Sequence, residues 1–259
     1  MARKRTEDLP DLSGLLLPRD QRMTAVEQSL LRHRSSTQVA VSLAEQIAAR
    51  LACVITFDLI HGGQRLLEQD ICEILGVSRA PVREALRILE RDRLVEFQAR
   101  RGALVTAPTA REVRNVFDVR IALYVMLLRE EMKEPKRLLA VLDSHMSAVE
   151  RSVSQSVDDQ SADDYATATF LLNSSIAAAA SNQTLADLLQ SVSLQTLRYV
   201  RLGLARDPGS IPRSLESWHT LRAAVAAGKA APVVRIAVDR IERIRDAALV
   251  ALEDTRVSD

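Results

Sequence analysis

The stretch Gly76-Val-Ser-Arg-Ala-Pro-Val-Arg-Glu-Ala-Leu86 decides the fold of the first part of this 259-residue chain. It follows a short segment, Glu68 to Leu75, whose apolar residues recur at helical spacing, so the pattern predicts two helices joined by a tight turn. Gly76 can adopt the positive φ that ends the first helix, and Ser78 can cap the second. Pro81 is tolerated because it falls in the first helical turn. The stretch therefore predicts a helix-turn-helix.

The second helix of this pair has two different faces. One face is apolar and is formed by Val82, Ala85, Leu86 and Leu89. The other carries Arg79, Arg83 and Arg87, which are four residues apart. A helix that buries one side and offers guanidinium groups on the other suits the major groove of DNA, where an arginine can satisfy the O6 and N7 acceptors of guanine together.

The segments around this pair complete a winged helix-turn-helix. Thr37 to Ile55 has the periodicity of a further helix. Leu94 to Gln98 and Ala103 to Thr106 are predicted as two strands, joined through the glycine of Ala99-Arg-Arg-Gly102. We therefore expect three helices and a small two-stranded wing, followed by a linker at Pro108.

Charge is concentrated in this region rather than spread over the chain. The whole chain has a formal net charge of only +1, whereas residues 79–101 contain seven arginines and four acidic residues. A local basic surface on a near-neutral protein favours specific binding of double-stranded DNA over general attraction to polyanions.

The remainder of the chain is predicted to be entirely helical, which makes the protein mainly α. Six segments from residue 110 to 252 have helical periodicity and are separated by Gly, Pro or polar clusters, so we expect a bundle of six or seven helices. The expected domains are a mobile tail over 1–35, within which Thr24 to Arg34 could form a short helix, the DNA-binding domain over 36–108 and the helical domain over 109–255. An alternative for the tail is an arm that touches DNA through Arg3, Lys4 and Arg5.

Composition excludes several other classes of protein. No apolar run reaches membrane-spanning length, and the first residues lack the apolar core of a signal peptide, so we expect a cytoplasmic protein without membrane contact. Only Cys53 and Cys72 are present, too few for a disulfide framework or a zinc site. Core packing is the favoured role for Cys72, with redox sensing as the alternative.

Residues 37 to 252 resemble the GntR family of bacterial transcription regulators, in the branch with an FCD (FadR C-terminal) domain. The match runs from Gly63-Gln-Arg-Leu66 through Val77–Leu86 to Leu94-Val95 and Arg101-Gly102. In the C-terminal half it is looser and rests on Val119-Arg120, Ala179–Asn182 and the turn at Gly228.

The resemblance implies which residues contact DNA. Arg79 and Arg83 would reach bases or nearby phosphates, Arg65 would reach the backbone, and the wing would enter the minor groove. For Arg87 and Arg91 the alternative is pairing with Glu84 or Glu90 on a solvated face. The family usually has Thr where Ala80 stands and often a basic residue where Gln69 stands. The implied set is Arg65, Ser78, Arg79, Ala80, Arg83, Arg87, Arg100, Arg101 and Gly102.

Many FCD domains bind a metal ion with one Asp and three His, and this chain departs from that pattern. The matching positions hold Thr169, Asn173, His219 and Arg240. Thr and Asn are poor ligands for a transition metal, and Arg cannot bind one. We therefore expect no metal site of the family type and no cofactor. Asp163, Asp164 and His145 could substitute only in a different register.

In metal-bearing relatives the cation helps to hold the carboxylate of an effector. Our hypothesis is that Arg240 takes over part of that role and that Thr169, Asn173 and His219 add polar contacts. Arg120 is a weaker candidate, as are Arg198 and Arg201. Two alternatives remain open: Arg240 could lie on a solvated face, paired with Asp239 or Glu242, or the pocket could be apolar and take an acyl ligand.

The predicted function is a ligand-responsive transcription regulator, most often a repressor in this family, and a homodimer on a two-fold symmetric operator. One alternative is a constitutive DNA-binding dimer whose C-terminal domain only dimerises. The other is an enzyme using His219. The enzyme is disfavoured because the sequence shows no nucleophile–base motif and no phosphate-binding loop.

Overall fold

The computed structural model describes residues 12, 16, 20–34, 40–99, 101–154 and 161–257. The chain divides after Pro108 into two compact units. Within the described residues there are ten helices and one small sheet, which confirms the mainly α fold class. None of the described helices is both long and apolar enough to cross a membrane.

The first unit is a winged helix-turn-helix. Its elements in chain order are α1 (Gln21–Arg34), α2 (Leu43–Thr56), β1 (Arg65–Leu66), α3 (Glu68–Leu75), α4 (Arg79–Arg91), β2 (Val95–Gln98) and β3 (Gly102–Val105). Gly76 ends α3 in the left-handed conformation at φ 63°, as its position predicts. Ser42 and Glu45 form a capping box at the start of α2, which fixes where that helix begins.

The core of this unit is built from the apolar face of α4. Val82, Ala85, Leu86 and Leu89 are fully buried, and α4 packs against α2, α3 and β2. Burial of one complete face leaves the opposite face of α4 to solvent. The sequence therefore determines which side of the helix is available to a partner.

The wing is larger than the sequence predicts. Strands β2 and β3 pair antiparallel, with Gln98 opposite Gly102 at the tip of the hairpin. A third strand, β1, pairs with the other edge of β3, with Arg65 opposite Leu104. The added strand places Arg65 in the same sheet as the wing.

Helix α1 lies where the sequence analysis expects a mobile tail over residues 1–35. Met23, Val26 and Leu30 are buried at helical spacing, and α1 packs on α2. Glu27 of α1 and Arg50 of α2 form a largely buried ion pair with a 3.3 Å Oε2–Nε distance. Gln21–Arg34 is thus a helix that includes the short helix that the sequence allows over Thr24–Arg34, and its packing on α2 makes it part of the first unit rather than of a mobile tail. Arg3, Lys4 and Arg5 lie outside the described residues.

The second unit is a bundle of six described helices, as predicted. They are α5 (Ala110–Glu131), α6 (Lys136–Ser154), α7 (Ser161–Ala178), α8 (Gln183–Arg206), α9 (Ser210–Ala226) and α10 (Ala230–Val257). Helix α8 packs against α5, α7 and α10, and α10 also packs against α5 and α9. The inward faces of α5, α7, α8 and α10 thereby enclose the centre of the bundle.

Candidate DNA-binding and effector sites

The exposed face of α4 carries the residues that the sequence analysis assigns to DNA. Ser78, Arg79, Ala80, Arg83 and Arg87 are all exposed. Ser78 occupies the N-cap position, but its side chain makes no capping hydrogen bond. The hydroxyl and the backbone N–H groups of the first turn are therefore available to an anion such as a DNA phosphate.

Arg83 is held in place by a neighbouring helix. Its Nε donates a 2.8 Å hydrogen bond to Oε2 of Glu68, the first residue of α3. The Arg83 side chain is nevertheless 62% exposed. A guanidinium that binds a carboxylate through Nε can still present its terminal nitrogens to another acceptor. Sequence reasoning did not find Glu68, because its partner lies fifteen residues away.

The other arginines of this face are not paired within the described part of the chain. Arg79, Arg87 and Arg91 form no ion pair there, so the alternative of pairing with Glu84 or Glu90 is not observed. Their side chains are exposed. Unpaired surface guanidinium groups leave the basic face of α4 free to contact phosphates or bases.

The wing brings three further candidates together. Arg101 and Gly102 are exposed at the hairpin turn, and Gly102 has φ 79°. A Cβ built on Gly102 would lie 3.9 Å from Nε of Arg65, so that arginine runs beside the wing tip. Phe97 is 43% exposed on β2 and was not predicted as a site residue. Arg100 lies outside the described residues.

The second unit contains a cavity of about 30 Å³ at the centre of the bundle, named here the inner cavity. Four of the five predicted effector residues line it, namely Arg120, Thr169, Asn173 and Arg240. Tyr124 and Tyr165 also line it and were not predicted. Tyr124 lies one helical turn after Arg120, so the spacing could have indicated it.

Two buried arginines lie in the wall of the inner cavity. Arg120 is 8% exposed and Arg240 is 5% exposed. Nη1 of Arg120 donates a 2.9 Å hydrogen bond to Oγ1 of Thr196. The guanidinium carbon of Arg240 lies 3.3 Å from the ring centroid of Trp218, a cation–π contact. The alternative placing of Arg240 on a solvated face, paired with Asp239 or Glu242, is therefore wrong.

Neither arginine has a carboxylate partner among the described residues, and Nε of each lacks a hydrogen-bond acceptor there. Burial removes water from both guanidinium groups and lowers the pKa of each to about 10. Both nevertheless stay charged near neutral pH. Arg120 also lowers the pKa of Arg240, because the two like charges repel. The inner cavity is thus a region of uncompensated positive charge.

Thr169 and Asn173 are already engaged with their own surroundings. The Thr169 hydroxyl donates to the Tyr165 carbonyl at 2.8 Å. Oδ1 of Asn173 accepts from the Tyr124 hydroxyl at 2.8 Å, and its Nδ2 donates to the Thr169 carbonyl at 2.6 Å. Asn173 therefore has only its second N–H left to donate to a ligand. Thr169 can act only as an acceptor, and an acceptor does not suit a carboxylate.

His219 does not belong to the inner cavity. Its side chain is 49% exposed, and Nε2 lies 3.6 Å from Oε1 of Glu150. The preceding residue, Trp218, is fully buried instead. Adjacent residues on a helix point about 100° apart, so turning Trp218 inward turns His219 outward. The prediction of His219 as an effector residue is wrong for this reason.

The positions that match the family's metal ligands do not fit a metal ion. His219 points away, Arg240 brings a positive charge, and the Thr169 hydroxyl is directed at its own helix. The described chain contains no cluster of three His, Cys, Asp or Glu residues suited to a metal. Asp163 binds Arg201 at 2.7 Å instead, and His145 contacts Ser175 at 2.9 Å. No step of the proposed function therefore involves a metal.

Comparison with known proteins identifies the two units. Residues 43–105 match the model for bacterial regulatory proteins of the gntR family, and residues 112–243, just over half of the chain, match the FCD domain model. The chain belongs to the gntR family and carries an FCD domain. This family is one of transcription regulators and not of enzymes.

Individual relatives agree with this assignment. The gluconate operon transcriptional repressor of Bacillus subtilis (strain 168) is 34% identical over 92 residues, which are 36% of this chain and 37% of the repressor. The HTH-type regulator YdhC of the same organism is 33% identical over 100 residues, 38% of this chain and 44% of YdhC. The chain thus spans less than half the length of either curated relative.

Solved structures show the same fold. A transcriptional regulator GntR from Rhodococcus sp. RHA1 superimposes with a TM-score of 0.66 at 24% identity, covering 81% of this chain and 98% of that one. McbR/YncC of E. coli also gives 0.66, at 18% identity, covering 78% of this chain and 95% of that one. At these identities the likeness extends to the fold alone.

Proposed function

We propose that the chain is a homodimeric repressor whose affinity for a two-fold symmetric operator is controlled by a small effector with a carboxylate. The observation that carries the effector assignment is the pair of buried arginines, Arg120 and Arg240, which line one cavity and have no ion-pair partner among the described residues. An uncompensated buried charge is costly. A bound carboxylate supplies the missing counter-charge without a metal ion.

The DNA-binding part of the proposal assigns base contacts to Arg79 and Arg83 on α4. Arg101 and Gly102 enter the minor groove as part of the wing, together with Arg100. Arg65 reaches the backbone and Ser78 a phosphate. Exposure of Arg79, Arg83, Arg101 and Gly102 supports these roles.

An exposed apolar strip on α5 supports dimer formation. Val119 is 50% exposed and Met126 is 57% exposed. They are seven residues apart, so they lie on the same side of the helix, two turns from each other. A dimer also doubles the number of base pairs read, because one recognition helix contacts only a few.

Effector binding can change DNA affinity only as far as the effector's own affinity differs between the DNA-competent and the DNA-incompetent states. We assign repression because the matched gluconate regulator of B. subtilis is a repressor. In this scheme a carboxylate in the inner cavity stabilises the state with lower operator affinity.

A titration with carboxylic acids tests the proposal. A thermal-shift screen, run with and without added divalent metals, selects acids that stabilise the protein, and calorimetry gives their affinity. We expect metal-independent binding that Arg240→Ala abolishes. Arg235→Ala is the matched control, since Arg235 is exposed on the same helix and does not line the cavity. Unchanged affinity in Arg240→Ala would contradict the proposal, and stabilisation by no acid would favour a domain that only dimerises.

A further inference from the structure

A larger chamber adjoins the inner cavity and has no role in the function proposed above. This outer chamber has a volume of about 180 Å³. Four residues line both spaces, namely Leu204, Ser214, Arg240 and Ile244. Arg240 is therefore part of the boundary between the inner cavity and the outer chamber.

The size of the inner cavity limits what can bind there. Its volume of about 30 Å³ accommodates roughly two or three water-sized spheres, which is enough for a carboxylate group but not for a whole metabolite. A larger acid held by Arg120 and Arg240 can extend past Arg240, which lines both spaces. The outer chamber is the space on the other side of that residue.

The outer chamber is lined by further positive charge. Arg213 of α9 and Arg243 of α10 line it together with Arg240, against a single acidic residue, Asp207. Within the described chain neither Arg213 nor Arg243 forms an ion pair. Arg243 is close enough to lower the pKa of Arg240 by charge repulsion. Arg240 itself is 5% exposed, and its Nε has no described acceptor.

The N-terminus of α9 adds to the positive electrostatic potential of the outer chamber. Ser210, Arg213 and Ser214 of its first turns line the outer chamber. The N-cap residue is Gly209, which supplies no side-chain cap, and the first turn contains no acidic residue. A helix N-terminus favours anions. Asp207, whose Oδ1 lies 3.3 Å from a Cβ built on Gly209, supplies one negative charge there, against the positive charges of Arg213 and Arg243.

We propose that the outer chamber is a second anion-binding subsite, and that the effector is an elongated acid with two anionic groups. One carboxylate lies in the inner cavity with Arg120 and Arg240. The second anionic group, a carboxylate or a phosphate, lies in the outer chamber with Arg213 and Arg243. This inference rests on the carboxylate effector proposed above and names its chemical class.

Calorimetry on the whole chain tests the subsite with three series of ligands: monocarboxylates, α,ω-dicarboxylates and ω-phosphorylated carboxylates. Chain length increases within each series, and ligands of equal chain length are compared between series. Two charge-assisted hydrogen bonds are gained, so we expect the best doubly charged ligand to bind at least about tenfold more tightly than its monocarboxylate counterpart. The double variant Arg213→Ala/Arg243→Ala removes that gain, so that a doubly charged ligand binds the variant no more tightly than its monocarboxylate counterpart binds the same variant. Arg235→Ala is the control and retains the gain.

The outcomes separate the two proposals. A gain shown only by phosphorylated acids, or only by dicarboxylates, supports the subsite and identifies its anion. If monocarboxylates bind through Arg240 but doubly charged acids bind no better, the second subsite is wrong and the proposed function stands. A gain that persists in the double variant also overturns the subsite. Binding of no acid overturns both proposals.

Discussion

Arg83 on the recognition helix donates a 2.8 Å hydrogen bond from Nε to the carboxylate of Glu68, at the start of the preceding helix. The Arg83 side chain is 62% exposed and the Glu68 side chain is partly exposed, at 31%. Exposed ion pairs contribute little to folding stability. The ion pair therefore serves to orient the Arg83 side chain. It fixes one edge of the guanidinium, while the terminal nitrogens stay free to bind DNA.

Replacement of Arg83 by Ala tests the assignment of this residue to a base. We expect operator affinity to fall by about 1–3 kcal/mol and the preference at one base position to relax. Binding of Arg83→Ala to a library of single-base operator variants measures both effects. Equal weakening on every sequence would instead assign Arg83 to a phosphate. Arg235→Ala, at an exposed position of α10 in the helical unit, serves as the control.

Replacement of Glu68 by Gln tests the orienting role. The amide retains the size of the side chain but removes the charge that holds Nε of Arg83. In the proposed complex Glu68 lies beside the DNA, so removal of its negative charge also favours phosphate contacts on any sequence. We expect the ratio of operator to non-specific affinity to fall while non-specific affinity rises. An unchanged ratio, measured at one salt concentration by fluorescence anisotropy, would mean that Glu68 does not position Arg83.

The two buried arginines of the helical domain predict an unusual stability effect. Arg120→Met removes a buried charge. It does not leave the Thr196 hydroxyl without a hydrogen-bond partner, because that hydroxyl still donates to the carbonyls of Val192 and Ser193. Apolar replacement of a buried ion pair is often stabilising by about 1–4 kcal/mol, and the charge of Arg120 has no ion-pair partner among the described residues to offset its burial. We expect a higher free energy of unfolding in urea without ligand, and no stabilisation by carboxylic acids. Lower stability of Arg120→Met relative to Arg235→Met would contradict this.

The exposed strip on α5 predicts the dimer interface. Met126→Lys places a charge where the partner subunit would pack, so we expect a shift to monomer in analytical ultracentrifugation and weaker operator binding. Val250→Lys is the control, since Val250 is 47% exposed but lies on α10. A dimer that survives Met126→Lys, or dissociates equally in Val250→Lys, would remove α5 from the interface.

The sequence predicted those features that depend on local signals. The bounds of α3 follow from helical periodicity and from Gly76, whose positive φ ends the helix. The buried face of α4 follows from residue spacing in the same way. Four of the residues predicted to bind an effector lie in one cavity, because the family resemblance fixes their positions along three helices.

The features that were missed depend on contacts between distant segments. Strand β1 has only two residues, and it exists because β3 pairs with it. The prediction for His219 rests on the family resemblance alone, whereas the burial of Trp218 against Arg240 sets the rotation of α9. Helix α1 has scattered polar residues, and its order comes from packing on α2.

Cys53 allows the packing of α1 to be measured. Its Sγ donates to the Met23 carbonyl of α1 at 3.4 Å, and burial raises the pKa of the thiol, which the charge of Glu27 raises further. We therefore expect a thiol reagent to spare Cys53 in the native protein. Glu27→Ala leaves Arg50 without its ion-pair partner and should loosen the packing of α1 on α2. We then expect Cys53 to react faster with the reagent. Cys72, which is half-buried in α3, should react at an unchanged rate. Mass spectrometry of the labelled peptides distinguishes the two cysteines, and rapid labelling of Cys53 in the unaltered protein would show that α1 does not protect it.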